Sequence, residues 1–153
     1  MGQCSIALQS LRIADGENAH GPAGPQRQPG HQITVTGIVA EVLVSIRRTA
    51  PLGWMITLGA GGVLTELWRD TQCLLAPATN ADIRSALQQL RIAPILNGYR
   101  GKPAANIDAL VNVVTALQQA VVGSSVVEVE LNPVLATTTS AIAVDALLIE
   151  ETK

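Results

Sequence analysis

Oxygen-bearing side chains recur at every second position in Glu128-Val129-Glu130-Leu131-Asn132-Pro133, and another carboxylate follows at Asp145. Side chains alternate between the two faces of an extended strand. Glu128, Glu130 and Asn132 therefore line one face, and Val127, Val129 and Leu131 the other. A chain that turns back through Ala141-Ile142-Ala143-Val144-Asp145 brings Asp145 alongside that row. Glu130, Asn132 and Asp145 would then form a hard, oxygen-only donor set of the kind that holds Mg2+ bridging nucleotide phosphates. The same alternation also describes an ordinary strand with one wet face.

Several elements must position these donors. Ile33-Thr34-Val35-Thr36 and Ile38 to Ile46 are dense in β-branched residues, which predicts a strand or two in succession, with Gly37 as a bulge or close approach. Pro51-Leu52-Gly53 reads as a turn into a strand over Trp54 to Leu58. Gly59-Ala60-Gly61-Gly62 then frees the backbone, either to bring N–H groups near an anion or to make a tight bend. No Lys followed by Ser or Thr comes after it, so it is not a P-loop. Val63 to Trp68 reads as the strand leaving a hairpin, with Glu66 and Asp70 in reach of the oxygen row. Thr79 and Asp82 have the spacing of a capping box ahead of Ile83, Ala86, Leu87 and Leu90, which predicts a helix ending before Pro94. Asn106 caps a second predicted helix, with Ile107, Leu110, Val111, Val114, Leu117 and Val121 as its buried stripe. Gly98-Tyr99-Arg100-Gly101-Lys102-Pro103 is the loop between them. Thr137 to Ser140 turn the chain into a last strand over Ala141 to Ile149. The fold class expected is α+β, a largely antiparallel sheet with two main helices on one face and the oxygen row on the other.

The N-terminal part differs in character. Ser5 to Ala14 carries apolar residues compatible with a short helix. Asp15 to Gln32 mixes Gly, Pro, Gln, His and Asn without periodicity and reads as a loop or linker. Residues 1–32 are thus expected to precede a domain over 33–150. His20 and His31 lack partners at ligand spacing, and Cys4 and Cys73 define neither a metal knuckle nor a redox pair.

A chain of 153 residues with 48% hydrophobic and 14% charged residues can bury a substantial core. A net charge of -2 with scattered Lys and Arg gives no basic stripe, which argues against nucleic acid as the main partner. No apolar run reaches membrane-spanning length and no secretory signal is evident, so the expectation is a cytoplasmic protein with no membrane partner.

Glu130-Leu131-Asn132-Pro133 with a downstream Asp145 resembles the metal-binding end of an ATP-grasp domain, specifically that of the NDP-forming acyl-CoA synthetases, relatives of the succinyl-CoA synthetase β subunit. Three further stretches match in the same order: Gly37 to Glu41 with its strand, Gly59 to Leu67 followed by Asp70, and Leu96-Asn97-Gly98-Tyr99-Arg100-Gly101. The resemblance implies the C-terminal ATP-grasp lobe of an acid-CoA ligase that splits ATP or another nucleoside triphosphate to the diphosphate and phosphate. It implies Mg2+ on Glu130, Asn132 and Asp145, and a nucleotide beside Glu41, Gly61, Gly62, Glu66 and Arg100. Arg100 would be the catalytic cation, neutralising charge on the transferred phosphate. The match does not extend to the preceding lobe with its phosphate-binding Lys, nor to the CoA-binding and phosphohistidine-bearing domains. The chain is therefore expected to be inactive alone and to need a complementary ATP-grasp lobe and CoA-binding domains or subunit. The alternative is a noncatalytic module of the same fold that forms a homo-oligomer or binds a partner.

Overall fold

The computed structural model describes residues 10–15 and 34–151. In chain order the elements are β1 (Ser10–Asp15), β2 (Ile38–Thr49), β3 (Gly53–Ala60), α1 (Leu64–Trp68), β4 (Thr71–Leu75), α2 (Asn80–Gln89), α3 (Ala93–Leu96), α4 (Ile107–Val121), β5 (Val126–Thr137), β6 (Ala141–Ala143) and β7 (Asp145–Glu150). They build a 7-stranded sheet in the order β1-β7-β5-β2-β3-β4, with β6 also paired to β5. Every pairing is antiparallel except that of β1 with β7.

One face of this sheet carries the core. Val42, Val44 and Ile46 of β2, Ile56 and Leu58 of β3, and Val134 of β5 are fully buried. Against them lie Ile83 and Leu87 of α2 and Leu110, Val111 and Val114 of α4. Each fully buried aliphatic side chain contributes about 1.5–3 kcal/mol of transfer free energy. Both helices start where their caps place them. The Thr79 hydroxyl accepts from the Asp82 N–H while the Asp82 carboxylate accepts from the Thr79 N–H, and Asn106 Oδ1 accepts from the Ala109 N–H. The fold class is α+β, as the patterning predicts.

Three local expectations need correction. Ser10 to Ala14, within the stretch expected to be helical, lie instead in a strand, Ser10–Asp15, that pairs parallel with β7 from Ser10↔Asp145 to Asp15↔Glu150. A helix of this length gains little in water, whereas an open sheet edge offers a complete ladder. The rest of the expected N-terminal helix and linker, together with Cys4, His20 and His31, lies outside the described residues. Val63 to Trp68, expected to be a strand, contains α1 instead. Here the Thr65 hydroxyl donates to the Ala60 carbonyl (3.0 Å) and its N–H to the Gly62 carbonyl (3.2 Å), which winds the chain before a ladder forms. Arg69, at φ 45°, ends that turn in the left-handed region. Finally, Thr34 to Thr36 stay outside any strand and β2 begins at Ile38, after Gly37 at φ 69°.

Candidate functional site

The oxygen row lies on the sheet face away from the helices. Along β5 and β7 the pairs Glu130↔Leu147 and Leu131↔Ala146 set the register, and Val134↔Ala143 continues it into β6. The Val144 N–H donates to the Pro133 carbonyl at 3.2 Å, so the register runs through this point and sets Asn132 opposite Asp145. Leu131 and Ala146 are buried under the helices, which leaves Glu130, Asn132 and Asp145 half-buried on the other face. On its other side β5 pairs with β2, where Val42↔Val134 and Val44↔Leu131 leave Asn132 and Pro133 opposite Leu43 alone. This is a β-bulge, a device that re-aims a side chain. Ser45, absent from the sequence reading, faces Glu130 across the same pair of strands. Farther along, Glu128 takes an ion pair from Arg47 at 3.5 Å and so is engaged at the rim.

The glycine-rich segment is clasped against this face. The Gly62 N–H donates to Asn132 Oδ1 (3.0 Å), the Gly61 N–H to the Glu41 carbonyl (2.9 Å), and the Ala60 N–H to the Asp70 carbonyl (3.0 Å). With all three N–H groups occupied, Gly61 and Gly62 do not present them to a phosphate, and of the two roles open to the segment the tight bend is the one these bonds fit. The glycines supply close approach. A Cβ on Gly61 would meet the Val42 backbone at 2.7–2.9 Å, and one on Gly62 would meet Glu41 Oε2 at 1.6 Å. Glu41 lies within β2, with its carboxylate against Gly62, whose N–H reaches Asn132.

Asp70 belongs elsewhere. It is buried on the helix side, and its two carboxylate oxygens accept from the Arg91 and Ile92 N–H groups (2.8 and 3.1 Å), holding the turn between α2 and α3. It therefore does not approach the oxygen row as expected. Glu66 falls in α1, next to the clasped glycines in sequence.

Arg100 is not among the oxygen ligands either. It stands at φ 50° in the loop after α3, with its guanidinium over the Tyr99 ring at 5.3 Å. It borders a groove of roughly 390 Å3 together with Ile38, Ile95, Tyr99, Lys102 and Thr138. At about 3.3 Å per residue, Thr138 lies on the order of 15–20 Å along the strand direction from Asn132. The fold thus brings together Glu41, Gly61, Gly62, Glu130, Asn132 and Asp145 and leaves Arg100 at the strand ends.

Comparison with known proteins decides the family. The ATP-grasp domain matches residues 25–149, most of the chain. The chain belongs to the ATP-grasp family. Among curated relatives of this ATP-grasp chain, it is 34% identical over 110 residues to the β subunit of the ADP-forming acetate–CoA ligase I of Pyrococcus furiosus, covering 71% of this chain and 47% of that one. The ADP-forming acetate–CoA ligase II of Archaeoglobus fulgidus is 28% identical over 142 residues, covering 93% of this chain and 19% of the relative. A solved structure of the dinucleotide-forming acetyl-coenzyme A synthetase 1 of Ca. Korarchaeum cryptofilum, in complex with coenzyme A and Mg-AMPPCP, superposes with a TM-score of 0.71 at 27% identity, covering 78% of this chain and 55% of that chain. The ATP-grasp chain thus spans about half or less of the length of these relatives.

The donor chemistry of the oxygen row suits a magnesium ion. Among the described residues no three His, Cys, Asp or Glu side chains gather as metal ligands, so the set is two carboxylates and one amide. Mg2+ typically takes only one or two protein carboxylates and completes its octahedron with water and phosphate oxygens. Asn132 Oδ1 keeps a second lone pair after accepting from Gly62.

Proposed function

We propose that this ATP-grasp chain is the nucleotide- and Mg2+-binding C-terminal lobe of an NDP-forming acid–CoA ligase. The observation that carries this reading is the convergence of Glu130, Asn132 and Asp145 on one sheet face, next to a glycine segment pinned by Asn132 itself. Glu130, Asn132 and Asp145 would hold the ion, which when bound would neutralise phosphate charge. The chain's own residues do the remaining work. Asn132 fixes the glycine segment at the floor, Glu41 fills the space above Gly62, and Arg100 would supply positive charge to a phosphate reaching the strand ends. Glu66 would support the site from α1. In this reading residues 33–150 form the lobe, and the chain is inactive until a complementary ATP-grasp lobe and CoA-binding domains are supplied, in the cytoplasm. Thermal unfolding tests it: Mg2+ with ATP or GTP should raise the midpoint of the whole chain, and neither component alone should do so to the same extent. No shift with any Mg-nucleotide at millimolar concentration would contradict the reading.

The exposed apolar side chains of α1 and of its N-cap residue favour a second reading. Val63 and Leu67 are 81% and 76% exposed, and Trp68 is 44% exposed. Three adjacent apolar side chains left to solvent suit a self-pairing or partner-binding module. Light scattering that finds a stable oligomer, combined with no nucleotide-dependent shift, would favour that module over the enzyme lobe.

A further inference from the structure

β4 is the last strand of the sheet, and among the described residues it is paired on one side only, with β3. The hydrogen bonds at its two ends fix which backbone groups are left over. The Ala60 N–H donates to the Asp70 carbonyl (3.0 Å) and the Ala76 N–H to the Trp54 carbonyl (2.8 Å), so Asp70 and Ala76 turn these groups toward β3. In an antiparallel ladder that direction alternates along the strand. Gln72 and Leu74 therefore bond β3 as well, while Thr71, Cys73 and Leu75 aim their N–H and C=O groups away from the sheet.

That edge carries none of the usual guards. Thr71-Gln72-Cys73-Leu74-Leu75 has no charge and no proline, and its pairing with β3 runs without a bulge. The outward-bonding residues also share one face. Cys73 Sγ is 3.8 Å from Thr57 Oγ1, and Thr57 points away from the core that takes Ile56 and Leu58, so Thr71, Cys73 and Leu75 lie on the open face. Leu75, at one end of the strand, is 57% exposed. Leu67 and Trp68 of α1, also exposed, stand near the other end, with the Trp68 Cα within about 11 Å of Thr71 by chain length alone.

We infer that β4 is a self-pairing edge: two copies of this chain join their β4 strands antiparallel about a two-fold axis at Cys73, so that one sheet continues through both. The strand itself selects the register. An axis at Cys73 sets Thr71 against Leu75 of the second copy and Cys73 against Cys73, which uses every outward N–H and C=O. An axis at Gln72 would set Leu75 against Arg69, where the backbone has left the strand, and an axis at Leu74 would set Thr71 against Pro77, which has no N–H. The Cys73 axis also brings each exposed Leu75 toward Leu67 and Trp68 of the other copy, and it sets Arg69, the nearest charge, level with Pro77 rather than with a like charge. These side chains and the two strands together amount to on the order of 1,000 Å2, about the least area a specific interface needs. The inference rests on α1 being an association surface and names its partner. It holds equally for a nucleotide-binding lobe, because the β4 edge is three strands from β5, about 14 Å away.

Sedimentation equilibrium of the whole chain tests this, with Cys4→Ser as the parent so that Cys73 is the only thiol. The expected result is a concentration-dependent dimer. Cys73→Pro, which removes an N–H that β3 does not use, and Leu75→Glu, which puts charge on the edge, should each raise the dimer Kd about tenfold or more. Cys73 residues paired in this register stand about 5.5 Å apart at Cα, within disulfide reach, so mild oxidation should cross-link the parent and fail to cross-link Leu75→Glu, which keeps the thiol. A monomer at every accessible concentration would overturn the inference, as would a dimer in which Cys73 does not cross-link. A dimer indifferent to both edge variants and dissolved by Trp68→Ala would overturn the β4 pairing and leave association through α1 standing.

Discussion

Gly61 and Gly62 show how a single atom decides whether the oxygen row has a floor. A methyl group on Gly61 would press on Val42 backbone atoms at 2.7–2.9 Å, and a backbone in mid-sheet cannot yield. Gly61→Ala should therefore lower stability by about 1–3 kcal/mol or more, read as a fall in the urea midpoint with unchanged slope. Gly62 differs, because the obstacle there is the end of the Glu41 side chain. In Gly62→Ala the left-handed backbone, at φ 61°, adds its own cost, and the Glu41 clash should be relieved by Glu41→Ala. A double-mutant cycle should return a coupling of about 0.5–3 kcal/mol between these positions, and strict additivity would show that the carboxylate does not rest on the glycine. The glycine cluster was legible as a special point of the backbone. What it approaches was not, because its partners Glu41 and Asn132 come from distant parts of the chain and only the register of β2 and β5 brings them there.

At the scale of elements, the parts whose signals are local were readable and the parts decided by neighbours were not. The α2 and α4 boundaries follow from Thr79, Asp82 and Asn106 and from apolar stripes at helical spacing. Asn106 also ties the β5–β6 turn through Thr139, so Asn106→Ala should cost about 1 kcal/mol or somewhat more in chemical unfolding. Hydrogen bonds from the Thr79 hydroxyl and then from its backbone N–H hold the Asp82 carboxyl below its ordinary value of 3.8. Because the folded-state value is the lower one, the stabilisation is complete above the ordinary value and is lost as pH falls through the folded value. The stability gap between the wild-type chain and Asp82→Asn should therefore be widest near neutral pH and close on acidification below that point, as followed by unfolding curves at stepped pH. A gap independent of pH would remove the carboxylate from the cap. By contrast α1 and β1 were misread. The β-prone residues of Val63 to Trp68 are wound by two bonds from Thr65, and the apolar residues of Ser10–Asp15 find the free edge of β7.

For the molecule as a whole, the sheet separates two kinds of surface: a helix-covered face that supplies the core, and an open face on which oxygen donors from β5 and β7 meet. The alternation over Glu128 to Asn132 made that face legible, while the bulge at Asn132 and Pro133 and the place of Arg100 beside Ile38 and Thr138 appear only when β2, β5 and the loop after α3 are assembled. The chain spans about half or less of its relatives' length. The most direct measurement is calorimetric titration of the whole chain with a nonhydrolysable ATP analogue, with and without Mg2+, comparing wild type with Asp145→Asn. The predicted result is a gain in affinity from Mg2+ in the wild-type chain that disappears in Asp145→Asn. An equal gain in both chains, or none in either, would contradict a cation site at Glu130, Asn132 and Asp145.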